Sequence, residues 1–308
     1  MISRIVIHGL FFSHLYALVM AQSQITSSGR KLGFDDTLRL VDTIRSTAQS
    51  FGVNIHPTSR IWLFEEKLRR LGSIKLGELA NSAFDWNGFT EGNRDAVEIA
   101  FICQSLREKF PNELLQWLPT VLSGSHLPLE ADTKARDKQF ELYIAALFAN
   151  SGFPVSLCEP DVRFEHEGKT YGIAAKRVSS KRKIEKRVRE GIKQLEKSGL
   201  RGLLTISADR LLSMPIPRVV AANEEALDQA GTDLVEEFLK QYSKKIALHI
   251  RSHAILGVAV NLVVPAFMHG QLGDIGTTTT LRFLQRPDGS NESIEFLQSI
   301  NTRIKPPC

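Results

Sequence analysis

The hydrophobic pattern divides the chain into two textures. From Phe34 apolar residues return at three- and four-residue steps (Leu38, Val41, Ile44, Ala48), which predicts an amphipathic helix opened by Asp35 and Asp36. Gly52 and Pro57 punctuate the next turn, and a second helix is expected from Ser59 through Leu71, ended by Gly72. Further helices are expected near 94–109 and 113–122, the latter started by Pro111-Asn112. Ser123, Gly124, Ser125 and Pro128 then mark a boundary.

Beyond that boundary helices alternate with short apolar runs. A helix is expected over about 132–151, with Phe140, Ile144, Leu147 and Phe148 on its apolar stripe, then a short strand over 155–158. Residues 162–167 and 170–177 form a β-hairpin with Gly168-Lys169 as its turn. A basic helix over 181–198 stops at Gly199, and a strand over 203–207 follows. After Pro215 and Pro217 come a helix over about 224–251 and a buried strand over 255–264. The segment around Thr277–Phe283 forms a last strand or hairpin with a loose tail. The expected fold class is therefore α/β: a mixed β-sheet core flanked by helices, with an all-α N-terminal region. The chain divides into 1–33, a signal-like stretch or N-terminal helix plus linker; 34–128, the all-α region; and 129–308, the α/β core.

Composition adds limited constraints. The 39 Lys and Arg exceed the 34 Asp and Glu only slightly, so the placement of charge matters more than its sum. Cys103, Cys158 and Cys308 are scattered and odd in number, which argues against a disulfide framework and for a reducing cytoplasm. Cys158 is expected to be a small buried hydrophobe. Residues 5–21 are mostly apolar and resemble an export signal, but His8, Ser13 and His14 interrupt them; the stretch is also short for a membrane span, so none is expected. If 1–21 is a true signal, the chain is exported instead. There is no GxxxxGK[ST] phosphate loop and no GxGxxG after a strand, and no small-molecule cofactor is expected. His249 and His253 have metal-compatible spacing but no evident third ligand.

Four sequence features fall in chain order on these elements: Glu141 on the first core helix, Pro160-Asp161 at the opening of the hairpin, Ala174-Ala175-Lys176 on its second strand, and Gln194 on the following helix. With the order helix, three strands, helix, strand, the chain resembles the PD-(D/E)xK (restriction-endonuclease-like) nuclease superfamily over about 130 of its 308 residues. The resemblance implies a metal-dependent nuclease acting on nucleic acid, with DNA as the expected substrate. It implies Asp161, Glu141 and the Ala175 carbonyl as ligands of Mg²⁺ or Mn²⁺, with Asp161, Lys176 and Glu141 catalytic and Gln194 supporting. A hard divalent ion takes oxygen ligands, usually one or two carboxylates plus water, and the lysine would position the attacking water and offset phosphate charge.

One family position departs from the pattern. Ala174 stands where the family has Asp or Glu. Some members move that carboxylate to the next helix, about 14 residues after the lysine, here Glu190. Glu190 lies far round the helix from the stripe of Ile184, Val188, Ile192 and Leu195, and reads as a surface acid. With Gly168-Lys169 as the turn, Asp161 is expected directly across from Lys176, the two Cβ atoms about 4.5–5.5 Å apart. Between Lys176 and Lys193 the chain carries nine Lys or Arg. Of these, Arg177, Lys181, Arg182, Lys186, Arg187, Arg189 and Lys193 are expected to contact nucleic-acid phosphates. The alternative reading is a catalytically inactive nuclease-fold module that binds nucleic acid or a protein partner. A homodimer is compatible with either.

Overall fold

The computed structural model describes residues 24–73, 84–124, 133–212, 219–269, 275–286, 290–305 and 307. The signal-like stretch, the boundary at 125–132 and the prolines at 215 and 217 lie outside the described residues.

The described elements, in chain order, are β1 (Gln24–Leu32), α1 (Phe34–Ser50), α2 (Arg60–Ser73), α3 (Trp86–Leu106), α4 (Pro111–Leu122), α5 (Lys134–Asn150), β2 (Val155–Ser156), β3 (Val162–His166), β4 (Lys169–Arg177), α6 (Ile184–Ser198), β5 (Gly202–Ser207), α7 (Asp209–Leu212), β6 (Val220–Ala221), α8 (Glu224–His249), β7 (Ile255–Met268), β8 (Ile275–Gln285) and α9 (Asn291–Arg303). A short 3₁₀ turn, Lys181–Lys183, precedes α6. The strands form one mixed sheet in the order β1-β8-β7-β5-β4-β3-β2, with β6 beside β7. β4, β5 and β7 run parallel, while the hairpin β3–β4 and the pairs β7–β8 and β8–β1 are antiparallel.

Apolar side chains cover both faces of the central strands, which explains their near-continuous hydrophobic runs. Ile173, Ala175, Leu203, Ala259 and Val263 pack in one core with α1–α5 and α9. Ala174, Leu204, Ile206, Val258, Val260 and Leu262 pack in a second with α6 and α8. The fold is thus an α/β sandwich of three layers, and α5 and α6 sit on opposite faces of β4. The N-terminal helices share a hydrophobic cluster with the sheet itself.

Two stretches differ from the sequence-based expectation. Gln24–Leu32, expected as linker, is an edge strand paired along its length with β8. Its packing face is polar: Ser27 Oγ donates to Asp228 (3.0 Å) and lies 3.2 and 3.1 Å from the hydroxyls of Thr278 and Thr280. No hydrophobic alternation advertises such a strand. The expected loose tail instead contains α9, capped by Ser290 and buried through Phe296, Leu297 and Ile300. Cys158, expected buried, is exposed.

Candidate functional site

The hairpin turn sets the register. Glu167 and Gly168 both have positive φ, 51° and 72°, so the two-residue turn is Glu167-Gly168 rather than Gly168-Lys169. Positive φ at both central residues is the geometry that matches strand twist in a tight hairpin. His166 therefore pairs with Lys169 and Val162 with Ile173. Continued by one residue, this register sets Asp161 opposite Ala174, not Lys176. The expected direct pairing is corrected by two positions.

Asp161 nevertheless meets Lys176, because the lysine is long enough to reach back. Lys176 Nζ lies 2.9 Å from Asp161 Oδ2, and the Ala175 backbone N–H donates to the same oxygen at 2.8 Å. From α6, on the same face of the sheet, Gln194 donates to Asp161 Oδ1 at 2.8 Å and to Glu159 at 3.0 Å. Three donors thus converge on one carboxylate. Burial pushes the Asp161 carboxyl up to about 7; Lys176 opposes the shift and nearby Glu141 adds to it. Glu141, on α5, is within electrostatic reach of Asp161 and forms an ion pair with Lys138. Asp161, Lys176, Gln194 and Glu141 are therefore brought together at one end of the α5–β3–β4–α6 unit.

Ala175 adds a backbone group to this cluster. Its N–H points to Asp161, and in an extended strand a residue's carbonyl points to the same edge as its N–H. The donor set that faces the site is two carboxylates and a carbonyl, all hard oxygens of the kind that suit Mg²⁺ or Mn²⁺. Among the described residues no three His, Cys, Asp or Glu side chains converge to hold a metal. An ion here would rely on Asp161, Glu141 and Ala175, with water or phosphate oxygens completing its shell.

The Ala174 position is closed. Ala174 is fully buried beneath α6. The helix approaches at Gly191, where an added Cβ would stand 3.5 Å from Ala174 Cβ and 3.3 Å from Lys176 Cγ, and would collide with Leu204. No second acid replaces it from α6: Glu190 is held by Arg187 (3.0 Å) and lies near Lys186 (3.8 Å).

The basic run divides in two. Lys181, Arg182, Lys186, Arg189 and Lys193 are exposed on the 3₁₀ turn and α6. Arg187 is half-buried and tied to Glu190 and Asp137. Arg177 is a correction: it points to the opposite face of β4 from Lys176 and is buried, 7% exposed, so it cannot join the exposed basic surface. Sequence reading also missed Glu159, Asp137 and Lys138 as neighbours of the site. Asp137 and Lys138 lie one helical turn before Glu141, a spacing that could have flagged them.

No protein-family model, curated protein or solved structure matches this chain. Among the described residues no helix is long and apolar enough to cross a membrane.

Proposed function

We propose that this chain is a nuclease-like protein that acts on the phosphodiester backbone of nucleic acid, with DNA as its substrate, in the manner of the PD-(D/E)xK superfamily. The observation that carries the reading is the convergence of Lys176, the Ala175 amide and Gln194 on Asp161, beside the exposed lysines and arginines of α6. The exposed cations attract and align the phosphate backbone in a salt-dependent way. Lys176 stands at the edge of this surface, where its side chain offsets the charge of one phosphate. Gln194 and the Ala175 amide fix the orientation of the Asp161 carboxylate. Asp161, Glu141 and the Ala175 carbonyl would hold a divalent cation, which when bound stabilises charge on the phosphate and lowers the pKa of water.

A second reading is favoured by one specific feature, the burial of Ala174 under Gly191. In that reading the same surface grips nucleic acid without cleaving it. Cleavage of labelled DNA and RNA with and without Mg²⁺ or Mn²⁺, in parallel with a binding titration, separates the two. Metal-dependent cleavage abolished by Asp161→Ala and Lys176→Ala supports the enzyme. Binding without cleavage, unaffected by Asp161→Ala, supports the module, and neither binding nor cleavage sinks both.

A further inference from the structure

Behind β4, on the face opposite Lys176, lies a layer of charged and polar side chains sealed between the sheet and helices α3 and α5. Arg177 (β4), Ser207 (β5) and Asn261 (β7) occupy one register row across the three parallel strands, at the C-terminal ends of β4 and β5 and the middle of β7. Thr205 lies on the same face two residues before Ser207. From above, α3 contributes Arg94, Asp95 and Glu98, and α5 contributes Arg136 and Gln139, all less than 9% exposed.

Most charges here are mutually satisfied. Arg94 pairs with Glu91, Arg136 reaches Asp95 at 3.0 Å and Glu91 at 3.6 Å, and Arg60 reaches Asp95 at 3.3 Å. Gln139 donates to Glu98, while Asp209 accepts from Ser207 (2.7 Å) and from the Val263 N–H (2.8 Å). Arg177 stands apart. It makes no ion pair among the described residues, and its Nη1 is buried without a hydrogen-bond partner. The same holds for Thr205 Oγ1, both amide atoms of Asn261 and Gln139 Oε1.

Such atoms are rarely left unmatched in a folded core, because each costs about 1–3 kcal/mol. Their chemistry defines what would match them. Arg177 Nη1, Thr205 and Asn261 Nδ2 donate toward an anion with several acceptor oxygens; a guanidinium fork suits phosphate well. Asn261 Oδ1 and Gln139 Oε1 require a donor, which a protonated phosphate oxygen or a ligand hydroxyl supplies. In open α/β sheets, ligands bind at the carboxyl ends of parallel strands, and the row lies at those ends of β4 and β5. We propose that this layer is a binding site for a small phosphate-bearing ligand, its phosphate held by Arg177, Thr205 and Asn261 between the sheet and α3 and α5.

The proposal is independent of the nuclease reading, since the site uses the other face of β4. Calorimetric titration and thermal unfolding of the full chain at pH 6 and matched ionic strength test it. The probes are inorganic phosphate, a nucleoside monophosphate and sulfate, which carries no proton at that pH. One of the two phosphate compounds is expected to bind saturably and at least tenfold more tightly than sulfate, raising the unfolding midpoint with concentration. Whichever of the two binds tighter identifies the source of the phosphate. Asn261→Leu and Arg177→Met should each weaken that binding at least tenfold. If Arg177→Met does not fold, Asn261→Leu and Thr205→Val carry the test, since they remove only unmatched atoms. Absence of saturable binding, equal affinity for sulfate, or unchanged affinity in Asn261→Leu overturns the proposal.

Discussion

Introducing at Ala174 the carboxylate of the PD-(D/E)xK motif, by Ala174→Asp, should damage the fold rather than create an enzyme. Ala174 is fully buried in the apolar cluster beneath α6, and Gly191 leaves no space above it. Adding a side chain to a filled core costs about 1–3 kcal/mol. The new carboxyl would also sit beside Asp161, whose own titration is already raised to about 7 by burial and Glu141. Forcing a second Asp from its ordinary ~3.9 to about 7 or above costs roughly 4 kcal/mol at neutral pH, at 1.36 kcal/mol per unit. Together this is about 5–7 kcal/mol, comparable to the entire stability of many domains. Ala174→Val separates the volume effect and should cost only the first part. Urea denaturation followed by circular dichroism measures both, with cleavage assayed on the same preparations. If Ala174→Asp unfolds at the wild-type midpoint and gains metal-dependent cleavage, the closure over Ala174 is wrong and the site is open.

Three further outcomes follow from other parts of the molecule. Burial, with Asp209 nearby, pushes the Glu98 carboxyl from its ordinary 4.5 up to about 7, so the folded state holds its proton more tightly than the unfolded chain. That stability is full below about 4.5 and is lost as pH rises to about 7; Glu98→Gln should therefore flatten the pH dependence of the unfolding free energy by something on the order of 3 kcal/mol, with Asp161 leaving a contribution of the same sign and comparable size. Replacing Arg182, Lys186 and Arg189 by Gln should weaken nucleic-acid binding at every sequence and reduce the slope of log K against log salt by up to about 2.7, as measured by fluorescence anisotropy; an unchanged slope would place the phosphates elsewhere. Glu167→Asn should stabilise the hairpin by up to about 1 kcal/mol in thermal unfolding, because Asn tolerates the positive φ that Glu167 adopts; a loss would refute the turn assignment.

The central α/β unit was legible because its elements obey simple periods. Apolar runs on β5 and β7, the amphipathic stripe of α6 and the capping glycine at 199 all stand where the pattern placed them. The site was legible in composition but not in register: an Asp, a Lys and a Gln were found together, while the pairing depended on which of two adjacent dipeptides bent. Glu167 at positive φ left no sequence signal, since Gly168 invites either choice. β1 was hidden because the face it shares with β8 is lined by serine and threonine hydroxyls around Asp228. The layer around Arg177 was hidden more deeply. Buried ion pairs such as Arg136–Asp95 are spelled with the same residues as a solvated surface, and only the fold distinguishes them.

The central claim is that Asp161 and Lys176 face a phosphodiester. The most direct measurement is single-turnover cleavage of labelled DNA against pH, with Mg²⁺ or Mn²⁺, for the wild type, Asp161→Asn and Lys176→Met. Metal-dependent cleavage is expected at every pH tested, falling by at least about 100-fold in both variants. Cleavage that persists in Asp161→Asn, or none from wild-type protein that binds DNA, would contradict it.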